Sequence, residues 1–163
     1  MSETILSLDH VSKRFGKEHA LKDVSLTVKK GDIYGLIGRN GSGKTTIMKL
    51  ITDLSKESGG EIVLMGKSKR KAGYSQALQH IGAVIEEPVA FSKLSAYENM
   101  KIICIQKGIH DYAVIDEMLD FVNLANTGKK KFKNFSLGMK QRLGIAMALV
   151  NNPDFLILDE PIN

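Results

Sequence analysis

The chain has 163 residues, of which 43% are hydrophobic and 25% charged, and it carries a formal net charge of +5 at pH 7. That is the balance of an ordinary soluble globular chain rather than a disordered or membrane-spanning one. A chain of this size buries roughly 68–70% of its unfolded surface, so one domain with at most a subdomain is expected.

The single cysteine, Cys104, excludes an internal disulfide and fits a reducing compartment. The opening "MSETILSLDHVSKRFG" mixes acids and bases with apolar residues, so it reads neither as a signal peptide nor as a membrane span. The positive charge fits a polyanionic ligand or an acidic partner but is too small to imply nucleic acid alone. Two basic clusters supply much of it, Lys67 to Lys71 and Lys129 to Lys133, and both read as solvated loops without interleaved stacking aromatics.

In chain order, Ile5, Leu6, Leu8 and Val11, then Val24, Leu26 and Val28, predict short antiparallel strands. A strand is expected through "DIYGLIG", residues 32–38, breaking at a glycine-rich turn. From Thr45, the apolar residues Ile47, Met48, Leu50, Ile51 and Leu54 recur at helical spacing. "GGEIVLMG" and "IGAVIEE" predict two further strands. From Ser95 to Val150 the pattern turns helical, with stripes in "AYENMKIICIQKG" and "YAVIDEMLDFVNLA". A third helix, "LGMKQRLGIAMALV", is expected to pack its Leu143, Ala146, Met147 and Val150 side, and Asn152 and Pro153 stop it before a closing strand. The fold class is α/β, with a parallel core sheet, an antiparallel N-terminal β part and a helical subdomain over about residues 95–150.

The run Gly38, Arg39, Asn40, Gly41, Ser42, Gly43, Lys44 and Thr45, followed by Thr46, fits the phosphate-binding pattern G-x-x-x-x-G-K-[ST] between an expected strand and an expected helix. Glycines let successive amides turn into one concavity, and the helix N-terminus adds roughly half a positive charge. Lys44 is expected at the β- and γ-phosphates and the Thr45 hydroxyl on Mg2+. The loop alone leaves kinases, GTPases, helicases and transport ATPases open.

The segment "PDFLILDEP" narrows the choice. An apolar strand ending in a carboxylate places that acid at the C-terminal edge of a parallel sheet, where open α/β folds bind ligands. Asp159 is then a candidate acceptor for Mg2+-bound water, and Glu160 a candidate catalytic group that orients or deprotonates an attacking water.

Ser136-x-Gly138 followed by Lys140, Gln141 and Arg142, ahead of a helix and the Asp159–Glu160 strand, resembles the signature segment of the ABC-transporter ATP-binding domain. Ser136 is also suited to cap the following helix. The resemblance covers the whole chain, from "LDHVSKRFG" to "LDEP". It implies an ATP-hydrolysing P-loop subunit using ATP and Mg2+, with Ser136 and Gly138 meeting the γ-phosphate held by a second copy in a head-to-tail homodimer. It also implies a transmembrane permease partner, no nucleic acid, and a cytoplasmic location on the inner face of the cell membrane. Leu137 and Met139 depart from the usual glycine and glutamine.

Glu86 stands where the family usually has a glutamine that contacts Mg2+. That glutamate, with "NFSLGMKQRLGIA", resembles the branch serving bacitracin export and lantibiotic self-protection. Phe15 matches the aromatic on which the family stacks adenine; packing under the strand pair is the other reading. The four histidines lack metal-ligand spacing and read as surface or strand residues. The family's domain continues beyond "LDEP", so the chain reads as its N-terminal portion, and nucleotide binding without turnover or a non-transport ABC ATPase remain alternatives.

Overall fold

The computed structural model describes residues 3–160. They form two compact units, one running to Leu78 and the other starting at Gln79.

In the first unit, strands β1 (Thr4–Phe15) and β2 (Glu18–Lys29) make a long antiparallel hairpin. Its alternation places Leu6 opposite Val28, Leu8 opposite Leu26 and Val11 opposite Val24. Strand β3 (Gly59–Leu64) pairs antiparallel with the other edge of β1, and the two-residue β4 (Lys67–Ser68) completes the order β2-β1-β3-β4. Leu6, Leu8, Ile62 and Leu64 are buried, the outcome expected when alternate residues of paired strands share one face, and Val11 is buried beyond a register shift that follows Leu8. Helix α1 (Lys44–Ile51) buries Ile47, Leu50 and Ile51 and contacts β2; helix α2 (Tyr74–Leu78) follows β4.

Three sequence expectations fail in this unit. Residues 32–38 join no ladder, and Ile33 and Ile37 are fully exposed. Strand propensity supplies suitable side chains, but a strand also needs a neighbour's amides and carbonyls, and no described strand offers them there. Leu54 lies beyond the end of α1 and is exposed, because the helix stops at the Thr52 cap. Within the first basic cluster, Lys69 is buried rather than solvated, with its side chain only 4% accessible.

In the second unit, β5 (Ile81–Val84) and β6 (Phe155–Leu158) pair in parallel, Ile81 beside Phe155 and Val84 beside Leu158. A parallel pair needs a long crossover, and helices α3 (Ala96–Lys107), α4 (Ala113–Phe121) and α5 (Leu137–Leu149) provide it. Their apolar stripes meet in one core that includes Met100, Cys104, Ile115, Leu124, Leu143 and Ala146. Helix α3 starts with a capping box: the Ser95 hydroxyl accepts from the Glu98 N–H, and the Glu98 carboxylate accepts from the Ser95 N–H at 2.7 Å. Buried Asn99, one residue on, accepts from the Phe91 N–H at 2.7 Å and donates to the carbonyls of Phe91 and Ser95. The loop before α3 is thereby fixed to the helix. Among the described residues, no helix is long and apolar enough to cross a membrane.

Candidate functional site

The phosphate-loop residues Gly38 to Thr46 lie together in the first unit, at the N-terminus of α1. Gly41 and Gly43 both take left-handed backbone, at φ 79° and 95°, which side-chain-bearing residues adopt only under strain. Gly43 is the N-cap of α1, and a Cβ there would stand 2.5 Å from Leu21 Cδ2 and 2.9 Å from the Ala20 carbonyl oxygen. Glycine therefore lets the helix start hard against β2. Lys44 folds back over the loop, its ammonium donating to the carbonyls of Gly38 at 2.9 Å and Arg39 at 3.2 Å. No acid occupies the first turn of α1, so its N-terminal amides keep their attraction for an anion. Thr45 and Thr46 are half-buried in that first turn.

Phe15, at the end of β1, is 57% exposed rather than packed beneath the hairpin, and the Lys13 ammonium lies 4.7 Å from its ring centroid.

In the second unit, the parallel strands bring Glu86, Asp159 and Glu160 into one cleft, lined also by Val84, Leu158, Gln141 and Ile145. The Asp159 N–H donates to the Val84 carbonyl at 2.9 Å, continuing the ladder one step past β6. Asp159 is buried, whereas Glu86 and Glu160 are exposed. Both glutamates sit two residues beyond a paired strand position, and both are left-handed, at φ 61° and 45°. A non-glycine residue pays roughly 1–2 kcal/mol for that conformation, and such strain concentrates at functional sites.

Helix α5 closes one wall of the cleft because glycines admit it. A Cβ at Gly82 would lie 2.3 Å from the Ala148 carbonyl oxygen, and one at Gly144 would lie 2.7 Å from Pro88 Cβ. Gln141 reaches the cleft from this helix. In the sequence Gln141 belongs to the signature segment with no site role of its own; its one-turn spacing from Ile145 is the signal that puts both on one helix face.

Ser136 caps α5, its hydroxyl accepting from the Met139 N–H at 3.3 Å, and Ser136 and Gly138 are both exposed at the helix start. Arg142 turns the other way, donating to the carbonyls of Val122 and Asn123 at the end of α4. Among the candidate metal donors, Thr45 in the first unit offers a hydroxyl oxygen, and Glu86 and Asp159 in the second offer carboxylates; each is a donor type that suits a hard cation such as Mg2+ rather than a thiophilic metal.

A glycine-built helix N-terminus bearing a lysine, and an acid-rich edge of parallel strands flanked by a serine-capped helix, are the parts of a P-loop nucleotide-binding protein. Residues 21–163 match the ABC transporter family model, and the chain belongs to that family. It is 46% identical over 159 residues to YcbN, an uncharacterized ABC transporter ATP-binding protein of Bacillus subtilis (strain 168), covering 98% of this chain and 52% of that protein. It is 43% identical to the lantibiotic transport ATP-binding protein SrtF of Streptococcus pyogenes, covering 98% of this chain and 67% of SrtF. Identity to the bacitracin transport ATP-binding protein BcrA of Bacillus licheniformis is 42%, covering 98% of this chain and 52% of BcrA. The chain thus spans about half the length of YcbN and BcrA.

Among solved structures, it resembles a dimeric ATP-binding cassette in a post-hydrolysis state bound to ADP and Pi, with TM-score 0.84 and 29% identity over 96% of this chain and 74% of that one. The ATP-binding subunit of an ABC transporter gives TM-score 0.85 and 27% identity, covering 97% of this chain and 67% of the other.

Proposed function

We propose that the protein is the ATP-binding and ATP-hydrolysing subunit of an ABC transporter that drives export of a peptide antibiotic or similar amphiphile. The observation that carries this reading is the loop at the start of α1, where left-handed glycines, Lys44 and an acid-free first turn are built for polyphosphate. The chain is read as the N-terminal portion of the ATP-binding domain, with the helical subdomain at about residues 95–150.

In this reading the amides of residues 39–45 and the Lys44 ammonium hold the β- and γ-phosphates, and the Phe15 ring stacks on adenine. Thr45, Asp159 and Glu86 would hold Mg2+, which when bound neutralises phosphate charge. Glu160 orients the attacking water and accepts its proton. Ser136 and Gly138 meet the γ-phosphate held by a second copy, closing a head-to-tail dimer. Dimer closure is passed to a transmembrane permease, with the protein peripheral on the cytoplasmic face of the cell membrane. Similarity to the lantibiotic transport protein SrtF and the bacitracin transport protein BcrA supports a peptide-antibiotic substrate.

Calorimetric titration with MgATP tests the loop. Lys44→Ala is expected to weaken affinity at least tenfold, because a charge-assisted contact contributes roughly 1.5–3 kcal/mol. Wild-type affinity in that variant would sink the assignment. Phosphate release that Glu160→Gln abolishes, with MgATP binding kept, supports turnover; binding with no release favours a nucleotide-binding role without hydrolysis.

A further inference from the structure

Helix α1 has eight residues, roughly 12 Å of rise, and a helix this short is marginal without tertiary support. Its N-terminus is wedged against β2 through Gly43. Its C-terminus is held by side chains from residues 69–74. The Lys69 ammonium donates to the Leu50 carbonyl at 2.6 Å and to the Ser55 carbonyl at 2.6 Å, and the Tyr74 hydroxyl donates to the Ile51 carbonyl at 2.7 Å. The Thr52 hydroxyl covers the Met48 carbonyl at 2.9 Å.

Lys69 also lies 3.3 Å from Asp53 and 3.2 Å from Glu57, whose side chain is nearly as buried as its own. The Glu57 contact is an ion pair without hydrogen-bond alignment. Burial alone would raise the Glu57 carboxyl, but its backbone hydrogen bond and Lys69 outweigh that and hold it below its ordinary value. Burial, then the charges of Asp53 and Glu57, push the Tyr74 hydroxyl well above its usual range, so it stays a neutral donor. A cation buried beneath the last carbonyls of a helix also complements the negative end of its dipole.

We infer that Lys69 and Tyr74 are positioning residues for the phosphate loop: by gripping the C-terminal carbonyls of α1, they fix where its N-terminus presents Lys44, Thr45 and the loop amides to a nucleotide. This rests on the nucleotide-binding reading above. A two-turn rod pinned at its far end cannot tilt freely at the near end. A ligand that needs the N-terminal amides in one arrangement is therefore thermodynamically coupled to the clamp.

The test uses the full chain. MgATP affinity is measured by calorimetry, and folded fraction from urea curves, for wild type, Lys69→Met, Tyr74→Phe, Lys44→Ala and the core variant Ile62→Val. Affinities are compared only where urea curves show each protein folded. Tyr74→Phe and Lys69→Met are expected to weaken MgATP binding roughly 3–30-fold, the range that mutations along a coupled network produce. Ile62→Val lowers the urea midpoint by shaving the same unit's core, yet leaves affinity unchanged. Tyr74→Phe removes one oxygen and keeps the ring, so it decides the matter even where Lys69→Met fails to fold. Wild-type affinity in Tyr74→Phe, with binding lost in Lys44→Ala, would overturn the positioning role alone. Equal affinity in wild type and Lys44→Ala would overturn the nucleotide reading, and the positioning role would fall with it.

Discussion

Replacing Gly43 by alanine tests how the phosphate loop is built. At φ 95° the new residue pays roughly 1–2 kcal/mol for left-handed backbone. Its Cβ would also stand 2.5 Å from Leu21 Cδ2 and 2.9 Å from the Ala20 carbonyl oxygen. Leu21 is buried and the carbonyl belongs to a paired strand, so neither retreats easily, and overpacking of this kind costs about 1–3 kcal/mol. The sum, roughly 2–5 kcal/mol, is a large share of the 5–15 kcal/mol that stabilises a typical domain. It appears in one of two places. Either α1 stays against β2 and global stability falls, or α1 slides off β2, relieves the clash, and carries its amides away from the phosphate position. Urea unfolding and MgATP titration of the same preparation capture both. With a urea slope of about 1–3 kcal/mol/M, the first route lowers the midpoint by on the order of 1 M. A midpoint and an affinity both indistinguishable from wild type would refute the claim that this close approach requires glycine.

Three further outcomes are expected. Asn99→Ala, which removes the partner of the Phe91 N–H while the Ser95 carbonyl keeps the backbone N–H of residue 99, is expected to destabilise the chain by about 1–3 kcal/mol, and a loss below about 0.5 kcal/mol in urea unfolding would contradict the loop-fixing role. The Glu98 carboxyl is held at about 2, against an ordinary 4.5, by the Ser95 backbone and hydroxyl and then by Lys131. A depressed carboxyl contributes stability above its unfolded value and loses it as pH falls toward the folded one. The stability gap between wild type and Glu98→Gln is therefore expected to shrink from about pH 4.5 to pH 2, and a pH-independent gap in denaturant titrations counts against the capping box. Glu86→Gln removes a negative charge from the cleft and is expected to flatten the Mg2+ dependence of ATP binding; superimposable Mg2+ titrations would remove Glu86 from the metal site.

Local sequence determined the parts whose signals are themselves local. The two-residue alternation of the first thirty residues carried the hairpin, the glycine spacing carried the loop, and the hydroxyl of Ser136 before an apolar helix carried its cap. The apolar run before Asp159 likewise carried a strand, since four apolar residues flanked by Asp154 and Asp159, just after a proline, have few other uses. What tertiary structure alone decided depends on groups far apart in the chain. Whether residues 32–38 form a strand rests on a partner's backbone, which their own side chains do not encode. Lys69 sits in a run of charge that looks solvated, and it is buried only because folding brings Asp53, Glu57 and the end of α1 around its ammonium. Gln141 reached the acid cleft in the same way, through glycines at 82 and 144 that let α5 lie close over β5. Periodicity tells a residue which face of its own element it occupies; which charges and carbonyls meet that face is settled only when the chain closes on itself.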